Sequence, residues 1–405
     1  MARPPLTLAA LATAAVPGLE VSGARPHSRG SYGQFDSALL RSTDGRTLLI
    51  RVPTTSSAEL EQSADLVALR ALSAGIRARL PFVVPTFVGQ APVSGTRAVV
   101  YDYVPGQVRD ADGLTAEPML ASEVGESIAA IHLLPSAFLA EAGLPRQTAA
   151  DCRSAVVELI GRAADTGRVP AALLRRWESA ADDAALWQFA PTVINGALAA
   201  DSFLVEGAHV SGVIGWSGLQ GGDPARDLHW LLTARGDAAE HALSAYLRAR
   251  GGPQDGAIAQ RALLHGELEL ARWLLHGVET RDPEVIEDAV GLLDGLVETV
   301  HSDESPALST DTGPIMAVDE VEDLLGRTPR TPGRDASTML TDTYDRSDLE
   351  RMAAGEQDEP EADATGALPL DLTGWGEEAG ADDGAAGDAQ ETGDDDQDSS
   401  SSSSS

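Results

Sequence analysis

Polar residues able to do chemistry gather at a few points in the sequence. Asn195-Gly196-Ala197-Leu198-Ala199-Ala200-Asp201-Ser202 lies between the apolar runs Val193-Ile194 and Phe203-Leu204-Val205, with Asp201 its one carboxylate. Gly222-Asp223-Pro224-Ala225-Arg226-Asp227 follows a further apolar piece, Gly212-Val213-Ile214-Gly215-Trp216. Nearer the N-terminus, Arg51 ends the run Leu48-Leu49-Ile50, and Asp65 opens the apolar face formed by Leu66, Leu69 and Leu72, with Glu61 one turn earlier. A guanidinium paired with such a carboxylate can clamp a phosphate, or it can simply bridge strand to helix. A loop carboxylate can hold a divalent cation or cap a turn. The only cysteine, Cys152, lies in a helical run and reads as a buried thiol rather than a reactive one.

These groups need elements to position them. Val21 to Val52 has strand character, and Thr43-Asp44-Gly45-Arg46 between apolar runs predicts a hairpin. Gly30 and Gly33 mark a turn-rich loop there, a weak signal for phosphate binding. Glu59 to Leu72 has helical spacing, and Phe82 to Gln90 and Arg97 to Val104 read as two more strands, the second stopped at Pro105-Gly106. Helices then dominate: Met119 to Ile131, Ala149 to Ala164, Pro170 to Ala184, Ala225 to Arg250, Ile258 to Gly277 and Pro283 to Val300, with short β-like pieces at Val193 to Val205 and Val210 to Trp216. A small sheet with one helix followed by a helical half describes a two-lobed α+β chain. Trp216, Trp230 and His132 read as core residues, and Asp223 as the cap of the helix that Pro224 begins.

Composition limits the alternatives. The 405 residues carry a net charge of −34, and every basic residue is Arg. From His301 onward there are 28 acids against 5 arginines, so two thirds of the excess lies in that segment. So acidic a chain repels phosphate backbones, which argues against nucleic acid as a partner. The acidic, Gly-, Ala- and Ser-rich stretch 301–405 is expected to be disordered, with short transient helices at Val318 to Leu325 and Ser347 to Ala353. Met1 to Pro17 imitates a short signal peptide, but reads better as an amphipathic helix ended by Pro17-Gly18. No apolar run reaches the length of a membrane span, and a lone cysteine fits a reducing compartment, so a cytoplasmic protein without membrane partners is expected.

Three segments resemble the aminoglycoside and macrolide phosphotransferase family. Val124-Gly125-Glu126-Ser127-Ile128-Ala129-Ala130-Ile131-His132 is similar to the helix before that family's catalytic loop. Val193-Ile194-Asn195-Gly196-Ala197-Leu198 occupies the place of its V-x-H-G-D-L. Gly212-Val213-Ile214-Gly215-Trp216 stands where it has G-V-I-D-W, and Gly222-Asp223-Pro224-Ala225-Arg226-Asp227-Leu228 matches G-D-P-A-x-D-L. The resemblance spans roughly Leu6 to Val300. It implies a bilobal protein-kinase-like α+β fold, with an N-lobe at 1–106, a helical C-lobe at 107–300 and the acidic tail at 301–405. It also implies an ATP or GTP site at Arg51, Asp65, Tyr101 and Tyr103, where Tyr101 to Gly106 link the lobes.

The departures fall on the chemistry. The family's catalytic Asp stands at Ala197, its metal-binding Asn at Ser202, its second metal-binding Asp at Gly215, and its loop His at Asn195. Mg²⁺ takes one or two carboxylates plus substrate phosphates, and neither Ala197 nor Gly215 supplies one, so Mg²⁺ is not expected and Asp201 is the one nearby rescue. The resemblance with these losses implies a pseudokinase that acts by binding a protein or small molecule. Two rivals stand beside it: an active small-molecule kinase with an altered metal site built on Asp201, and a scaffold whose acidic tail carries the function.

Overall fold

A computed structural model describes residues 2–27, 33–110, 113, 117–232, 238–251, 255–301 and 308. They all belong to the first of two compact units, Met1–Asp323. The expectations for the tail, for Gly30 and for most of the segment beyond 301 lie outside the described residues.

The N-lobe is built on an antiparallel five-stranded sheet in the order β1-β2-β3-β5-β4, made of β1 (Val21–Pro26), β2 (Phe35–Ser42), β3 (Thr47–Pro53), β4 (Phe87–Val93) and β5 (Thr96–Asp102). Alternation places Leu48, Ile50 and Val52 of β3 on one face, fully buried. Helix α1 (Pro5–Ala15) covers that face through Leu8, Ala12 and Ala15, so the N-terminal apolar run is part of the core. The helix lies so close that a Cβ on Gly89 of β4 would sit 2.3 Å from the Ala15 carbonyl oxygen. On the other face, α2 (Ser56–Ala71) packs Leu66 and Leu69 toward Tyr101 and the helical lobe. Thr55 caps it by accepting from the Ala58 N–H.

The strand expected from Phe82 starts only at Phe87. The cause is local. The Arg77 guanidinium donates to the carbonyls of Leu69, Val84 and Pro85, while Val83 pairs with Gly212 across the lobes. These residues join the N-lobe to the C-lobe instead of extending the sheet.

A short helix, α3 (Ala74–Arg77), follows α2 in the N-lobe, and the C-lobe holds α4 (Pro118–His132), α5 (Ala137–Glu141), α6 (Ala149–Asp165), α7 (Ala171–Asp182), α8 (His229–Leu232), α9 (Ala238–Arg250), α10 (Ile258–Thr280) and α11 (Pro283–His301). The stretch expected as one helix from Ala225 is instead a 3₁₀ turn, Pro224–Asp227, then α8 and α9. The β-like stretch from Val193 is likewise interrupted: β7 (Thr192–Ile194) and β8 (Phe203–Glu206) flank a 3₁₀ turn at Ala200–Ser202. After the hinge come β6 (Gln107–Val108), which pairs with β8, and β9 (His209–Val213); β10 (Gln220–Gly222) pairs with β7.

Helices α4 and α9 cross at Gly125, where a Cβ would meet the Ala242 carbonyl oxygen at 2.1 Å. Gly125→Ala gains up to about 1 kcal/mol in helix propensity, yet overpacking of this kind costs about 1–3 kcal/mol. A net loss of stability is expected in chemical denaturation, and a midpoint at or above wild type would show that the crossing tolerates the methyl group.

Candidate functional site

The loop from Asn195 to Ser202 is pinned by one buried carboxylate. Asp227 accepts from the Asn195 N–H at 2.7 Å and the Gly196 N–H at 2.7 Å, and its Oδ2 lies 3.1 Å from His132 Nε2. Tyr246 on α9 holds the other nitrogen of His132, with 2.9 Å between its hydroxyl and Nδ1. Asn195, itself fully buried, donates its side-chain amide to the Gly215 carbonyl at 2.9 Å, and its Oδ1 accepts from the Ala197 N–H. The side chain at the loop's first position thus ties the 195–202 loop to the 212–217 segment. His132 is a packed, hydrogen-bonded core residue, as its place at the end of an apolar helix implied.

Within that frame the chemistry-bearing positions are bare. Ala197 is exposed on the loop. Ser202 is buried, and its hydroxyl accepts from the Ala199 N–H at 3.1 Å, so it serves its own turn. Gly215 has φ +73°, a left-handed backbone, with open space where a Cβ would point. Asp201 is exposed on the 3₁₀ turn and is not one of the residues lining the cleft between the lobes. Among the described residues no group of three His, Cys, Asp or Glu side chains could hold a metal ion.

That cleft is lined by Leu49, Arg51, Asp65, Tyr101, Val104 and Gly215, among others. It brings Arg51, Asp65 and Tyr101 together, while Tyr103 turns its ring edge-on to His27 at 6.0 Å. Arg51 and Asp65 do not close into an ion pair. The Arg51 guanidinium stands over the Phe35 ring, 3.8 Å from its centroid, a cation–π contact, and Arg51 is among the residues lining the cleft. Asp65 accepts from the Trp216 N–H at 2.8 Å. Burial raises its pKa and Glu61 adds to the rise, against the Trp216 hydrogen bond and the charge of Arg51. Trp216 is buried, donating its indole N–H to the Val213 carbonyl, and Trp230 packs against Phe203 with centroids 5.5 Å apart. Both are core residues. Cys152 is buried, which pushes its thiol up to about 11, a value at which little thiolate forms near neutrality.

A charged network that the sequence did not announce lies beneath the loop. Asp223 caps the 3₁₀ turn through the Ala225 N–H, as expected. It also receives Arg261 through Nε and Nη2, and lies 3.1 Å from His265 Nε2. Arg261, fully buried, further donates to Asp255 and to the Leu186 carbonyl and stacks on Phe189. Burial alone would raise the Asp223 carboxyl, but His265 and Arg261 outweigh it and hold it at about 2.

A sequence model described as the phosphotransferase enzyme family matches residues 31–264. Several solved structures share the fold. Macrolide 2'-phosphotransferase MphH from Brachybacterium faecium is 24% identical with a TM-score of 0.59, over 72% of this chain and 98% of its own. Macrolide 2'-phosphotransferase type I is 22% identical with a TM-score of 0.57, over 71% and 96%. The GDP complex of wild-type aminoglycoside 2'-phosphotransferase-IIIa is 19% identical with a TM-score of 0.58, over 72% and 98%. No curated protein matches the chain. With more than half its length matched by that sequence model and its two-lobed architecture shared with these enzymes, the chain belongs to the phosphotransferase enzyme family.

Proposed function

We propose that the protein is a pseudokinase of this family, one that binds a ligand or partner without transferring phosphate. The observation that carries the reading is the conjunction at Ala197, Ser202 and Gly215: two positions have no side-chain oxygen and the third has its hydroxyl engaged by its own turn. Loss of a general base alone costs about 10²–10⁴-fold in rate, which leaves a weak enzyme. Loss of the metal positions also removes the ion that neutralises the transferring group. The residues present do not fit Mg²⁺. They do fit part of a nucleotide: Leu49 and Val104 offer apolar walls, and Arg51 offers a cation to a phosphate. ATP or GTP is therefore the proposed ligand class of the cleft, in keeping with the GDP bound by the aminoglycoside relative.

The intact Asp227 frame favours a second reading, a working kinase in which Asp201 swings in to replace the missing carboxylates. Purified full-length protein with ATP or GTP, Mg²⁺ and aminoglycoside or macrolide acceptors separates the two. Turnover indistinguishable from a protein-free control is expected. Turnover abolished by Asp201→Asn would establish the second reading in its place.

A further inference from the structure

The helical lobe contains a cavity apart from the interlobe cleft. Cys152 on α6, Ile194, Asp223, Arg226, and His265 and Arg272 on α10 are among its walls. Its volume is about 240 Å³. Its buried carboxylate is already engaged, since Asp223 is held by Arg261 and His265. Its cations are less well matched. Arg272 pairs with Glu269. Arg226 makes no side-chain hydrogen bond or ion pair with any described residue, and its charge falls on Arg272. Burial and that repulsion together push the Arg272 guanidinium down. In addition, His265 is 4% exposed, and its Nδ1 has no hydrogen-bond partner.

We propose that this cavity is a binding site for a small oxyanion, a phosphate or carboxylate group seated between the guanidinium groups of Arg226 and Arg272. Glu158 and Arg162 complete the charged lining, and Arg162 pairs with Glu279. Arg226 and Arg272, partly withdrawn from water, have Glu269 as their one ion-paired carboxylate, so an anion between them would relieve their repulsion. The planar guanidinium fork matches an oxyanion with two parallel hydrogen bonds. The orphaned nitrogen points the same way. Nε2 is directed at the Asp223 carboxylate, which leaves Nδ1 as the ring's one polar atom without a partner, sealed just behind the cavity wall. A small shift of that wall would let a polar group brought in with the anion partner it. The inference does not depend on whether the cleft transfers phosphate.

A thermal-shift titration of the full chain with sodium phosphate, against sodium chloride at matched ionic strength, reads the site. Wild type and Arg51→Ala are expected to give the same saturating rise in Tm. Arg226→Gln is expected to move the midpoint to at least about tenfold higher phosphate, the loss of one charge-assisted interaction. Sodium acetate separates the sources: a response to phosphate alone assigns the site to phosphate esters, and a response to acetate as well assigns it to carboxylates too. Equal midpoints in wild type and Arg226→Gln, or a phosphate response no larger than that of chloride, overturn the proposal. So does loss of the response in Arg51→Ala, which would put the anion in the cleft. Should Arg226→Gln unfold too early to be read, Arg226→Lys, which keeps the charge and loses the fork, is expected to show an intermediate midpoint.

Discussion

Arg261→Met is expected to lower the unfolding free energy by about 3–5 kcal/mol, the range for removing one partner of a buried ion pair. Arg261 has no exposed surface, and Asp223 is 3% exposed. The substitution leaves a buried carboxylate with only His265 and the Ala225 N–H for support. Hydrogen bonds to Asp255 and the Leu186 carbonyl go as well, with the stacking on Phe189. Urea unfolding with an unchanged slope and a lower midpoint is the expected record. The double variant Asp223→Asn/Arg261→Met is expected to lose less than the sum of the two single changes.

The pH dependence gives a second readout. The folded Asp223 carboxyl, at about 2, is depressed from its ordinary 3.8. A depressed carboxyl stabilises the fold above its unfolded value, and this contribution disappears as pH falls through the folded one. Asp223 therefore gives about 2 kcal/mol, present above pH ~4 and gone near pH ~2. In Arg261→Met the same carboxyl keeps His265 but loses its second cationic partner while staying buried, so its pKa rises. The acid-side loss should flatten or reverse sign. An Arg261→Met variant that keeps the wild-type acid profile would show that Arg261 does not hold the carboxylate.

How much of this was legible in the sequence depended on where each partner stands along the chain. The frame of the site could be read because it is local. Asn195 to Ser202, Gly212 to Trp216 and Asp223 to Asp227 are contiguous segments whose order and spacing carry the resemblance. The Asp223 cap was readable for the same reason, its partner lying two residues on. Arg261 and His265 were not, because they lie 38 and 42 residues downstream in a helix whose pattern says only that one face is apolar. Asp227 stood in a matched motif, yet its task depends on a fold that brings Asn195 and Gly196 to it from 32 and 31 residues away. The strand start at Phe87 is not legible in the sequence, because an arginine at position 77, outside any strand, claims the preceding carbonyls. Periodicity reports which face of an element is buried; it does not report which distant polar group satisfies its backbone.

The conjunction of losses makes a prediction about gain. Ala197→Asp alone is expected to yield no turnover, since a general base worth about 10²–10⁴-fold has no ion to act beside. Gly215→Asp is the step that matters first. The backbone there is left-handed, which costs an ordinary L-residue about 1–2 kcal/mol and Asp somewhat less. Nothing lies within 4 Å of where a Cβ would sit, so the added side chain starts in open space. ATP or GTP affinity in wild type is expected to be the same in Mg²⁺ and in EDTA. In Gly215→Asp combined with Ser202→Asn it is expected to become tighter in Mg²⁺ by about tenfold or more, a difference of about 1.4 kcal/mol. Adding Ala197→Asp should then produce the first measurable turnover. The order of the steps is what distinguishes the proposal from a merely weakened enzyme: a wild-type protein whose nucleotide affinity already responds to Mg²⁺ has a metal site, and the reading of Gly215 as its loss would be wrong.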